Sequence, residues 1–241
     1  MRVLVTRARA EAIRTAQELA KRGHEALVAP LSEIRFLDCE ITDLTGIQAL
    51  LATSSNGVRA FARCCHRRDI PIFTVGDATA ATARAAGFVQ VMSAAGDALT
   101  LIASVRKAVE TGAGTLLHIA GRNSTPAFGE KIAEAGFDLR VCELYETVYR
   151  TQLPEEIVDA LRRCAVDAVL VLSPEAGRAL VESLRQDGLA ATCRRIVVCC
   201  ISAAAAATIQ EIEFGAVRVA ESPHLDAVLS LLDLGPIGAH A

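Results

Sequence analysis

The sequence predicts a two-domain α/β protein with parallel sheets, built by an internal duplication. Three observations carry that prediction. A strand–helix–strand unit opens the chain and returns far downstream, and a strand running into a helix through a serine turn occurs in both halves. The strands themselves are continuous apolar runs rather than alternating ones, as strands covered by helices on both faces must be.

Val3 to Thr6 reads as a short buried strand. From Ala8 to Arg22 the pattern is helical, placing Ile13, Ala16, Leu19 and Ala20 on one face, with Gly23 as the stop. Ala26 to Ala29 is a second buried strand that ends at Pro30. The spacing is that of a βαβ unit. In the second copy Leu116 to Ala120 is the strand, Gly121-Arg122 stands where Thr6-Arg7 stood, and a helix runs from about Pro126 to Ala135. Gly136-Phe137-Asp138 then echoes Gly23-His24-Glu25.

The serine turn recurs in the same way. Leu51 to Phe61, through Thr53-Ser54-Ser55-Asn56, matches Leu170 to Leu180, through Ser173-Pro174. A third pair is Ile72 to Gly76 with its alanine-rich helix, matched by Val197 to Ser202 and the helix beyond. Each half closes on an apolar helix opening near Asp97 or Asp226. Residues 31–38 and 143–150 mix apolar and polar positions with strand-like content and no helix signal, which marks them as connections between domains.

Composition narrows the function. Hydrophobic residues make up 52% of the 241, without the run of about 18 that a membrane span needs. There is no tryptophan, so the core is aliphatic. A net charge of -3 gives no general attraction for nucleic acid or an anionic membrane. The chain enters a strand at Met1-Arg2-Val3 instead of a leader pattern, and its eight cysteines contain no CxxC, so a cytoplasmic protein with buried thiols is expected. The histidines are scattered without ligand spacing, and neither GxGxxG nor GxxxxGK[ST] follows a strand. No metal and no organic cofactor is expected.

Ligands in open parallel sheets bind beyond the carboxyl ends of the strands, against helix N-termini. Four such turns are small and polar: Thr6-Arg7, Thr53-Ser54-Ser55-Asn56, Gly76-Asp77-Ala78-Thr79 and Gly121-Arg122-Asn123-Ser124. They offer backbone N–H groups, hydroxyls and two guanidiniums, which is an inventory for holding anions. Arg7 and Arg122 occupy equivalent places in two copies, as expected of carboxylate ligands. Any one Ser, Thr or Asn in these turns also reads as an ordinary helix cap.

The ordered set Val3-Leu4-Val5-Thr6-Arg7, Ala52 to Val58, Val75 to Ala80, Glu143-Leu144-Tyr145-Glu146-Thr147, Leu172-Ser173-Pro174 and Glu221-Ser222-Pro223 resembles the uroporphyrinogen-III synthase family over nearly the whole chain. The resemblance implies two flavodoxin-like three-layer domains joined by a two-stranded linker. The first would be discontinuous, residues 1–33 and 150–241, around a second of residues 36–145, with linkers at 34–38 and 143–150. It implies cyclisation of hydroxymethylbilane, a linear tetrapyrrole polycarboxylate, with loss of water and inversion of the last pyrrole, through an azafulvene and a spiro-pyrrolenine.

By the same resemblance Tyr145 assists the departing hydroxyl and Thr79 is the threonine of a Gly-x-x-Thr-Ala turn. Arg7, Thr53, Ser54, Ser55, Asn56, Gly76, Ala78, Gly121, Arg122, Ser173 and Ser202 bind substrate. The expected protein is a monomer with a transient contact to hydroxymethylbilane synthase. One departure stands out, since the second copy of the Thr79 turn reads Ser202-Ala203-Ala204-Ala205-Ala206 and lacks the threonine. The rival readings are a non-enzymatic cytoplasmic sensor for a small polyanion and an NAD-dependent enzyme, the latter disfavoured by the missing glycine fingerprint.

Overall fold

The computed structural model describes residues 1–39, 41, 43–122, 124 and 127–235. The chain divides into two compact units, Met1–Glu33 with Val148–Ala241, and Ile34–Thr147. Each has an α/β fold on a largely parallel sheet.

The first unit contains β1 (Arg2–Val5), α1 (Arg9–Lys21) and β2 (Glu25–Val28). The chain leaves along β3 (Ser32–Phe36) and enters the second unit, where β4 (Ile47–Ala52), α2 (Ser55–Cys64), β5 (Ile72–Thr74), α3 (Asp77–Ala85) and β6 (Val91–Ser93) follow. After these come α4 (Ala98–Ala108), β7 (Thr115–Gly121), α5 (Ala127–Glu134) and β8 (Leu139–Tyr149). Back in the first unit are α6 (Glu155–Arg162), β9 (Ala168–Val171), α7 (Pro174–Gln186), β10 (Val197–Cys200), α8 (Ala203–Ala207), β11 (Ala216–Val219) and α9 (Leu225–Ser230).

The first sheet runs β2-β1-β9-β10-β11, all parallel. The second runs β3-β8-β7-β4-β5-β6, parallel from β8 to β6. Strands matched by the sequence repeat, β2 with β8, β1 with β7 and β9 with β4, occupy the same places in the two sheets. β3 lies antiparallel to β8, with Leu37 N donating to Leu144 O and Arg150 N to Leu31 O.

The central strands of each sheet are covered on both faces. In the first unit Leu4, Val169, Val171, Val198 and Cys200 pack on Ile157 and Leu161 of α6 and Leu180 and Leu184 of α7. The alternate residues Val3, Val5, Leu170 and Cys199 pack on Leu19 of α1 and Leu229 of α9. In the second unit Leu50, Leu117 and Ile119 meet Val58 and Phe61 of α2, whereas Leu51, Phe73 and Leu116 meet Leu101 and Val105 of α4. Burying each such side chain is worth about 1.5–3 kcal/mol.

Three expectations are corrected in detail. The buried face of α1 is Ala12, Thr15 and Leu19, while Ile13 is 47% exposed. β2, expected as a buried strand, is only half-buried at the edge of its sheet, and the segment from residue 143 lies largely in the 11-residue strand β8, which begins at Leu139. Pro126, the expected start of α5, lies outside the described residues.

Gly57 shows how closely α2 sits on β7. A Cβ built there would lie 2.4 Å from the Ile119 carbonyl oxygen, whereas one at Gly76 would meet nothing within 4 Å. Gly57→Ala is therefore expected to cost about 1–3 kcal/mol by overpacking, and Gly76→Ala far less. Chemical denaturation of the two variants measures the difference, and equal stabilities would show that α2 is not seated by this contact.

Candidate functional site

Covering the central strands on both faces leaves the strand ends as places where polar groups meet solvent. At the carboxyl end of the second sheet is a cavity of about 430 Å³, within the range of small-molecule sites. Thr53, just past β4, lies on its wall, with His118 and Gly121 from β7 and Phe128 from α5. Tyr145 and Thr147 of β8 and the exposed Ser124 complete its polar lining.

The register of β7 and β8 positions Tyr145. The two strands pair residue by residue from Leu116 with Leu139, then slip between Ala120 and Gly121 so that Gly121 faces Tyr145. Arg122 N donates to Tyr145 O at 2.8 Å, fixing the slip. A Cβ at Gly121 would be 2.8 Å from the tyrosine ring and 3.1 Å from its hydroxyl, so the ring occupies the space that glycine leaves empty.

His118 is 3% exposed, with its ring centroid 4.6 Å from that of Phe128. Its Nε2 is 3.3 Å from Thr53 Oγ1, a contact whose donor depends on the imidazole tautomer. Burial pushes His118 down to about 4 from its usual 6.5, so the ring is neutral at neutral pH. It was not among the residues expected to bind. Its only sequence signal is a histidine inside an apolar strand, because Thr53 and Phe128 reach it through tertiary packing.

The two arginines differ. Arg7, past β1, is half-buried, and among the described residues no hydrogen bond or ion pair reaches it. Burial lowers its pKa most, opposed by the charge of Glu11 and reinforced by Arg14. Arg122 is already engaged, with Nη1 3.1 Å from Glu146 and Nε 3.6 Å from Glu143. Arg35 binds the other oxygen of Glu146, and these two arginines hold its carboxyl below the usual range, Arg35 first.

Most of the expected hydroxyls have structural duties. Ser54 caps α2 by accepting from Asn56 N at 3.1 Å, Ser173 caps α7 from Ala176 N at 3.1 Å, and Ser202 caps α8 from Ala205 N at 3.2 Å. A hydroxyl that accepts in a cap still has its own proton to donate. Ser55 donates to Ala78 O and accepts from Thr82, tying α2 to α3. Asn56 Oδ1 accepts from Arg59. Thr79 is buried in the first turn of α3 and is not part of the cavity wall that Tyr145 forms, and neither Gly76 nor Ala78 lines it. Asn123 lies outside the described residues.

The family model described as uroporphyrinogen-III synthase HemD matches residues 13–230. The chain belongs to the uroporphyrinogen-III synthase family. That family consists of lyases of porphyrin biosynthesis. Among solved structures the chain is similar to uroporphyrinogen-III synthetase from Helicobacter pylori, with 18% identity and a TM-score of 0.64 over 98% of this chain and 100% of that one. It is also similar to a mutant uroporphyrinogen III synthase from Thermus thermophilus, with 17% identity and a TM-score of 0.53 over 97% and 98%. These likenesses support the α/β fold. No curated protein matches the sequence. No helix among the described residues is long and apolar enough to cross a membrane.

The neutral histidine gives a signed pH dependence. Unfolded His118 takes up a proton near its usual 6.5, whereas folded His118 resists to about 4, so stability falls as pH drops through that window. The full difference corresponds to about 3 kcal/mol. Denaturation at about pH 7 and about pH 4.5 should show a steeper loss for the wild type than for His118→Leu. Equal losses would place His118 in contact with solvent.

Proposed function

We propose that this chain cyclises hydroxymethylbilane to uroporphyrinogen III, losing water and inverting the last pyrrole. The observation that carries the reading is the family match across residues 13–230. In this proposal the two compact units are the family's two domains, the first discontinuous, derived from one ancestral unit. The common strand order of the two sheets supports that origin.

The chemistry calls for positioning rather than for strong acids or bases. Loss of the substrate hydroxyl gives an electrophilic azafulvene that closes unaided on the electron-rich last ring, and the enzyme selects which carbon of that ring forms the bond, by way of a spiro-pyrrolenine. The 430 Å³ cavity suits one substituted pyrrole better than a whole tetrapyrrole. Tyr145 is assigned the hydrogen bond to the departing hydroxyl, supported by its seat over Gly121 on the cavity wall. Thr53 orients one carboxylate arm, its hydroxyl set by His118. A neutral imidazole at that depth places no fixed positive charge against the electron-poor azafulvene.

Arg7 is assigned a second carboxylate arm. A half-buried guanidinium with no hydrogen bond or ion pair among the described residues has its lost hydration only partly offset, by the charge of Glu11, and an incoming carboxylate supplies direct contacts. Arg122 contributes less directly, since Glu143 and Glu146 already neutralise it. Thr79 and the cap serines Ser173 and Ser202 remain proposed contacts, acting through their hydroxyls.

Incubation with freshly generated hydroxymethylbilane, followed by oxidation and isomer analysis, tests the function. The type III isomer should dominate, while type I alone would mean that the chain does not direct ring closure. In the same assay Arg7→Ala should raise KM at least tenfold, as loss of about 1.5–3 kcal/mol of charge-assisted contact implies. Arg122→Ala should raise KM less. The reverse order would move the anion site from Arg7 to Arg122.

A further inference from the structure

Cys39 and Cys64 stand 25 residues apart in sequence, and their Sγ atoms are 2.8 Å apart. Cys39 follows β3 and Cys64 is the last residue of α2. The same two elements are joined by a second contact, in which the Arg63 guanidinium lies 4.9 Å from the centroid of the Phe36 ring. Both thiols are half-buried against the apolar core of the second unit, beside Ile41, Leu44 and Cys142. Two sulfurs held this close by independent packing need only a small approach to reach the ~2.0 Å of a bond.

We propose that Cys39 and Cys64 are a redox-modification site that closes to a reversible disulfide by exchange with a low-molecular-weight disulfide such as oxidised glutathione. In the first step one cysteine sulfur attacks the reagent's S–S bond, forming a mixed disulfide and releasing one reagent thiol. In the second the other cysteine attacks the protein sulfur of that mixed disulfide, forming the Cys39–Cys64 bond and releasing a second reagent thiol. Two protein thiols are oxidised and one reagent disulfide is reduced, and the two S–H protons leave with the released thiols.

Burial and the adjacent Cys64 thiol push Cys39 up to about 12, which makes it a slow attacker of a free reagent. Whichever of the two sulfurs opens the reagent's bond, the other acts in the intramolecular step, where proximity compensates for scarce thiolate. Cys142 remains a thiol. The bond closes a loop that contains β4 and the Thr53–Asn56 turn, and it anchors the end of the 10-residue α2 opposite to that turn. Oxidation thus restrains the segment that carries Thr53.

The full-length protein is incubated with oxidised glutathione, its remaining thiols are alkylated, and linked peptides are mapped by mass spectrometry. The expected product is a Cys39–Cys64 crosslink with Cys142 alkylated, a higher unfolding midpoint, and full reversal by a reducing agent. Cys142→Ser should form the same crosslink, whereas Cys64→Ser should leave Cys39 alkylated. Recovery of Cys39 and Cys64 as alkylated thiols from the oxidised wild type, or a crosslink that uses Cys142 instead, would overturn the assignment.

Discussion

The organisation of this molecule follows from covering parallel strands on both faces. Val3 and Leu4 point to opposite helix layers and both are fully enclosed, as are Leu50 and Leu51 in the second sheet. Such strands have no polar face, since an unpaired polar group inside either layer would lose hydration without a partner. Polar chemistry is displaced to the strand ends, where helices begin and backbone N–H groups are unpaired. Thr53, Gly76, Gly121 and Arg7 all lie at such ends for this reason.

Within the second unit that constraint converges on β7 and β8. The slip after Ala120 brings Gly121 beneath Tyr145, and absence of a side chain at Gly121 lets the ring lie there. Deeper in the same cavity His118 is the polar exception in a buried strand, kept neutral by burial and placed beside Thr53 and Phe128. Just past Gly121 and Tyr145 in sequence, Arg122 and Glu146 are paired, and Arg35 shares the same carboxylate. A neutral, hydroxyl-bearing interior suits a reaction governed by orientation.

The sequence made the buried elements easy to read and the side-chain partnerships hard. β1, β7 and β9 are continuous apolar runs and stand out at once. The phase of α1 did not, because an alanine-rich helix has a weak apolar stripe and Ile13 turned out to face solvent. Tyr145 was legible through family resemblance, but its dependence on Gly121 comes from a strand slip that no local pattern encodes. Ser54, Ser173 and Ser202 look alike as ligands and as caps until hydrogen bonds are seen. His118 with Thr53, and Cys39 with Cys64, are partnerships across 65 and 25 residues that leave no motif.

In the proposed reaction Tyr145, seated over Gly121, is the working wall of the site. Turnover of hydroxymethylbilane by Gly121→Ala, measured beside its unfolding midpoint, tests that role. The added methyl displaces only the end of the tyrosine ring, so the protein should stay folded while turnover falls roughly a hundredfold, as a misplacement of about 1 Å can cause. Wild-type turnover by a folded Gly121→Ala variant would remove Tyr145 from the chemistry.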